Sequence, residues 1–214
     1  IMTLDEEFKI IKEFEKKNRN MFLKGKPFYT FRSKNFVYGN KEHIKKLKEK
    51  FVNGRKEKES NETDIIPDFA VYEYIKTKYN LDDEKKETVK KHHNIAMDAE
   101  NKMGHYLEEY IYNNIKSENW VWCTGDILRS MDFIKKTKNN KKEPWFALQV
   151  KNSDNSENSS SNKVRKGTKI KIKHWFRRFS KKNKTNWDKL VEITGCEKLS
   201  NENFLEFLRG KAKN

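Results

Sequence analysis

The stretch from Met131 to Lys151, MDFIKKTKNNKKEPWFALQVK, constrains the fold more than any other part of the chain. An apolar segment around one aspartate leads into a Lys/Asn-rich polar segment. WFALQVK follows, a run of aromatic and branched residues ending in lysine. That order predicts a hairpin: strand, polar turn, strand. Side chains alternate across a strand, so Gln149 and Lys151 share one face while Leu148 and Val150 take the other. Asp132, on the neighbouring strand, then lies beside the first pair. A carboxylate, an amide oxygen and a lysine at adjacent strand ends are enough to hold a divalent cation against a phosphodiester. A hairpin with a few charges on its wet face has the same pattern, so the rest of the chain must decide.

A length of 214 residues predicts one domain, and 34% hydrophobic residues predict a lean core. Fourteen Phe, eight Tyr and five Trp compensate, because each aromatic buries a large area. No apolar run is long enough to span a membrane, and the acidic, amphipathic start is unlike a signal peptide. Cys123 and Cys196 make neither a disulfide framework nor a zinc site. The chain therefore reads as cytoplasmic. Its net charge of +16 predicts a polyanionic partner. Ribosomal or membrane-surface proteins share that excess, and a Lys/Asn-rich composition also reflects an AT-rich genome. The distribution is more telling: residues 151–190 hold thirteen Lys and Arg against three acids, directly after the hairpin.

Along the chain, residues 3–18 predict an amphipathic helix with Leu4, Phe8, Ile11 and Phe14 on one side. Residues 25–39, rich in aromatics around Gly25, Pro27 and Gly39, predict a loop or short strand pair. A second helix over 41–53 turns Ile44, Leu47 and Phe51 inward and stops at Gly54. A third begins near Pro67–Asp68. From Asp82 to Lys116 the pattern allows one long helix or two. One stripe there carries Ile95, Ala99, Met103, Leu107 and Ile111, and an adjacent one Glu100, Gly104 and Glu108. Gly104 costs about 1 kcal/mol inside a helix, which predicts a close approach by another backbone or by DNA. Trp120 and Trp122 precede a turn at Gly125–Asp126, and a short capped helix closes the chain. A helical region over 1–90 and a core over 91–214, with its basic segment at 151–190, together form one compact domain on this reading.

A helix carrying Glu108, then Asp132, then Gln149-Val150-Lys151 resembles the order of parts in the PD-(D/E)XK nucleases. The resemblance implies an α/β fold with a mixed sheet flanked by helices and a mainly helical N-terminal region. It implies Mg²⁺ held by Asp132 and the main-chain carbonyl of Val150, with Gln149 and Glu108 as further ligands, and Lys151 orienting the attacking water. Gln149 departs from the acidic residue usual at its position and brings no charge. Asp126 is a second candidate for the metal aspartate. Pro67–Asp68 is too distant from Gln149 to belong to the hairpin.

More specific is the run from Leu148 to Leu190, with its N-S-D-N-S-E-N-S-S-S, V-R, G-T, K-H-W-F-R and T-N-W-D-K-L motifs. With AENKMGHYLEEYI and the GD…MDFI stretch it resembles the SinI-type type II restriction endonucleases, over about residues 95–190. That likeness implies a Mg²⁺-dependent homodimer that cuts both strands of a short palindrome, of the GGWCC kind in the namesake, in unmethylated DNA. A cytosine methyltransferase would be its genetic partner. DNA contacts then fall to Asn152, Ser153, Asp154, Asn155, Ser156, Ser160, Lys163, Arg165, Lys169, His174, Arg177, Arg178 and Asn186. Trp175, Phe176 and Trp187 read as core aromatics before stacking platforms. His92, His93 and His105 lack partners at metal-ligand spacing. Two rival readings are a basic DNA-binding protein without catalysis and a repair or recombination nuclease with little sequence preference.

Overall fold

The structure is a computed structural model that describes residues 2–18, 40–56, 69–128, 130–137, 144–155 and 170–213. Its elements are helices α1 (Leu4–Asn18), α2 (Lys41–Asn53), α3 (Phe69–Tyr79) and α4 (Asp83–Ile115) and strands β1 (Trp120–Trp122), β2 (Phe133–Lys136), β3 (Trp145–Ser153) and β4 (Ile172–Arg178), followed by helices α5 (Trp187–Thr194) and α6 (Asn201–Lys211). The strands form one sheet in the order β1-β2-β3-β4. The first three are antiparallel and β4 runs parallel to β3. The architecture is thus mixed α/β, with helices on both faces and at the N-terminus, consistent with a PD-(D/E)XK-like fold.

The chain divides into two units, one of residues 1–56 with 106–214 and the other of residues 57–105. In the smaller unit α3 and the first turns of α4 are tied by ion pairs from Lys86 to Glu73 and from Lys76 to Asp83, the latter at 2.5 Å. The segment from Asp83 to Ile115 is one helix, which settles the choice left open by its pattern. Among the described residues nothing lies within 4 Å of a Cβ built on Gly104, so none of their backbones accounts for that glycine. Residues 25–39 and Pro67–Asp68 lie outside the described residues.

In the larger unit the helical periodicity of α1 and α2 is realised as burial. Phe8, Ile11 and Phe14 of α1 and Leu47 and Phe51 of α2 pack with Val121, Ile134 and Ala147 on one face of the sheet. Asn40 caps α2 through a 2.8 Å bond from the His43 N–H to its side chain. On the other face Trp175 of β4 meets Trp187 of α5 at 5.2 Å, and Trp187 meets Tyr110 of α4 and Phe204 of α6 at 5.6 and 5.7 Å. The burial of Trp175 and Trp187 agrees with their reading as core residues.

Neither β4 nor α5 follows from the charge pattern of residues 151–190. IKHWFRR is basic at four of seven positions, yet its one buried side chain, Trp175, anchors it as a strand while Lys and Arg stems reach solvent. α5 stops at Gly195, which takes φ 76° just past its last turn.

Two glycines fix where α2 ends. A Cβ on Gly54 would collide with the backbone of Gly125, and one on Gly125 with the carbonyl of Lys50. Gly125 also sits at φ 77°, which L side chains rarely adopt. Gly125→Ala is therefore expected to destabilise the protein by roughly 2–3 kcal/mol, read as a drop in urea midpoint at constant slope.

Candidate active site

Asp132 is mounted at the head of β2 by its main chain. Its N–H donates to the Leu148 carbonyl at 2.9 Å, and its carbonyl accepts from the Cys123 N–H at 2.7 Å. Both neighbouring strands thus hold it. Ser130, two residues before, has φ 59°, so the chain bends away there and β2 does not run on beside Val150. The N–H of Val150 donates at 2.6 Å to the Asp132 carboxylate. In a strand both main-chain groups of a residue point to the same neighbour, so the Val150 carbonyl is directed to this side as well.

The ladder ends at the Phe133–Leu148 pair, and the Asp132 N–H donates to the same Leu148 carbonyl, so Asp132 sits beside Leu148 with its carboxylate reaching Val150. Gln149 is 2% exposed, whereas Lys151, two residues along the same face, is half-buried. From the far side Glu108 of α4 accepts the indole N–H of Trp122 at 2.7 Å. Asp126, exposed on the β1–β2 turn at φ 52°, completes the charged surroundings.

The electrostatics bind these groups into one site. Glu108 is pushed up to about 8, first by desolvation and then by the Asp132 charge, against the Trp122 bond and Lys151. Asp132 is pushed up to about 6 by desolvation, with the Val150 N–H and Lys151 opposing. Asp126 adds repulsion to both. Each carboxylate keeps some solvent exposure while packed among protein atoms, as a site open to a large substrate requires. Among the described residues no group of three or more His, Cys, Asp or Glu side chains is arranged to hold a metal. An ion here would take two carboxylates and complete its shell with neutral oxygens and water. Hard oxygens suit Mg²⁺, which keeps several waters. Two crowded carboxylates in a desolvated recess are what a cation would relieve, so the donor set fits.

The expected DNA contacts separate by what the structure does with them. Asn152 accepts from Arg177 Nε at 2.8 Å, and Arg177 also donates to Asn201 at 3.3 Å. Asp154 accepts from the Ser180 N–H at 2.8 Å, and Ser153 is buried. Asn186 donates to the Phe176 carbonyl at 3.3 Å, and its own carbonyl accepts from Trp175 Nε1 at 2.7 Å. These five brace β3, β4 and the helices after them. His174 is half-buried, while Asn155 and Arg178 are exposed. Ser156, Ser160, Lys163, Arg165 and Lys169 lie outside the described residues. Sequence reasoning missed Trp122 as a partner of Glu108. Trp120 and Trp122 read only as residues before a turn, and nothing in their pattern pointed to α4. Glu109, next to Glu108 in α4, pairs instead with Lys211 of α6 at 2.7 Å.

Comparison with known proteins supplies the context for this geometry. A family model described as SinI restriction endonuclease matches residues 2–213, well beyond the 95–190 span in which the likeness was first read. The chain is 36% identical over 171 residues to the type II restriction enzyme Eco47I of Escherichia coli, covering 80% of this chain and 73% of that enzyme. It is similar to the type II restriction enzyme SinI of Salmonella infantis at the same identity and coverage.

Proposed function

This chain belongs to the SinI restriction endonuclease family, and we propose that it is a Mg²⁺-dependent enzyme that cuts both strands of a short palindromic site, of the GGWCC kind, in unmethylated DNA. The observation that carries the proposal is the convergence of Asp132, Glu108 and Lys151 on the free end of β2, beside the Val150 backbone. Asp132, Glu108, the Val150 carbonyl and the Gln149 amide oxygen would hold the cation. Bound there, it would acidify a coordinated water and neutralise charge on the scissile phosphate.

The protein's own residues supply the remainder. Lys151 orients the attacking water and offsets charge building on the phosphoryl oxygens. Val150 and Trp122 donate hydrogen bonds to the Asp132 and Glu108 carboxylates, favouring their ionised forms against the desolvation that pushes both pKa values up. Asn155 and Arg178, exposed near the ends of β3 and β4, offer contacts to DNA, with phosphate the natural target for the arginine. Asn152, Asp154, Arg177 and Asn186 act by shaping that surface. A palindrome calls for two-fold symmetry, most simply a homodimer. A cytosine methyltransferase is its expected genetic partner, and the cytoplasm its expected compartment. Among the described residues no helix is long and apolar enough to cross a membrane.

Digestion of unmethylated phage DNA tests specificity. Discrete fragments whose ends map to one sequence and its complement are expected, with resistance once that site is cytosine-methylated. A featureless smear would keep the hydrolytic site and reject site-specific restriction.

A further inference from the structure

We propose that Trp122 is a positioning residue: its indole N–H fixes the carboxylate of Glu108, and a buried cluster of Arg55, Glu7 and Tyr112 fixes the indole. The inference rests on the hydrolytic reading of Glu108. It gives the N-terminal helices a part in the reaction that contact with DNA or with a second subunit does not cover.

The chain of contacts is short. Trp122 ends β1, is 2% exposed, and donates to Glu108 at 2.7 Å. The Arg55 guanidinium, just past α2, lies 4.9 Å from the Trp122 ring, 4.3 Å from that of Tyr112 and 4.9 Å from that of Phe51. It also donates to the Trp122 main-chain carbonyl at 3.0 Å and pairs with Glu7 of α1. Glu7 is 1% exposed and accepts the Tyr112 hydroxyl as well. Tyr112 and Phe133 flank the indole at 5.6 and 6.5 Å. The indole cannot swing away from Glu108 without leaving its stack on Arg55, a guanidinium that the Glu7 pair holds in place.

The choice of donor matters chemically. An indole N–H donates only and carries no charge. It can aim a carboxylate while leaving that carboxylate's full negative charge for a cation. A lysine in its place would neutralise Glu108 and compete with the metal. Such oriented support of a ligand typically carries a 10–100-fold effect on metal affinity or rate.

Trp122→Phe keeps a ring in the stack and removes the N–H. The expected result is a fall in kcat of roughly 10–100-fold, with DNA KM changed less than about twofold. The Mg²⁺ concentration giving half-maximal thermal stabilisation, without DNA, should rise about tenfold. In the Glu108→Gln background the same substitution should leave the Mg²⁺ midpoint unmoved. Wild-type kcat and midpoint in Trp122→Phe would overturn the proposal. So would losses of kcat, melting temperature and DNA retention in step, which mark a packing role alone. A wild-type protein that never cleaves DNA in Mg²⁺ refutes the hydrolytic reading; the positioning then stands or falls on the Mg²⁺ midpoints of the four proteins.

Discussion

Asp132→Asn and Glu108→Gln are each expected to lower cleavage by at least about a thousandfold while making the metal-free protein more stable at pH 8. The loss of activity follows from removing a charged ligand. The gain in stability follows from the direction of the shifts. Both carboxylates have native pKa values above their ordinary ones, Asp132 at about 6 and Glu108 at about 8. Between the unfolded value and the native one the unfolded chain has released the proton and the native protein still holds it. Native protein then binds more protons, so stability falls as pH rises through that window and stays low above it. The window runs from the ordinary carboxylate range near pH 4 up to about pH 8. An amide has no proton to release, so each variant should escape a penalty on the order of 1–3 kcal/mol at its upper end. Urea unfolding in EDTA at pH 5 and pH 8 reads this as the difference between wild type and variant. Mg²⁺ should narrow the gap at pH 8, because it binds only native wild type tightly. Variants less stable than wild type at pH 8 would show that the carboxylates are ordinary structural groups.

Lys151→Ala should separate chemistry from binding. We expect single-turnover cleavage to drop by about 10²–10³-fold or more, while DNA retention in Ca²⁺ and the Mg²⁺-induced rise in melting temperature persist. Lys151 is half-buried and its charge favours the ionised forms of both Glu108 and Asp132. Its removal should also push both carboxylates further up, moving the rising limb of the residual pH–rate profile to higher pH. Retained cleavage would assign the water-orienting role elsewhere.

How much of this could be read from the sequence depended on whether the signal was local. Alternation in WFALQVK sets Gln149 and Lys151 on one face, and the main chain of β3 holds Asp132 through Leu148 and Val150. Helical spacing gave the inward Phe8, Ile11 and Phe14 of α1 and Leu47 and Phe51 of α2, with Gly54 as the stop. Leu4, at the start of α1, stays exposed, and Ile44 is half-buried. The hydrogen bond from Trp122 to Glu108 joins residues fourteen apart on different elements. No periodicity encodes it. β4 was hidden because its lysines and arginines outnumber its one buried anchor, so charge masked a strand that pairing with β3 makes favourable. The family likeness supplied roles that the geometry alone does not. It assigns Asn152, Asp154 and Arg177 to DNA, and the structure adds bonds from these side chains to Arg177, Ser180 and Asn201 that no sequence pattern announces.

The most direct measurement is digestion of unmethylated plasmid by purified wild type and Lys151→Ala, each with Mg²⁺ and with EDTA. Discrete fragments from wild type in Mg²⁺ alone are what the carboxylate pair and Lys151 predict. Retardation of the plasmid without cutting, the same for both proteins and indifferent to Mg²⁺, would contradict the hydrolytic site and leave a DNA-binding protein.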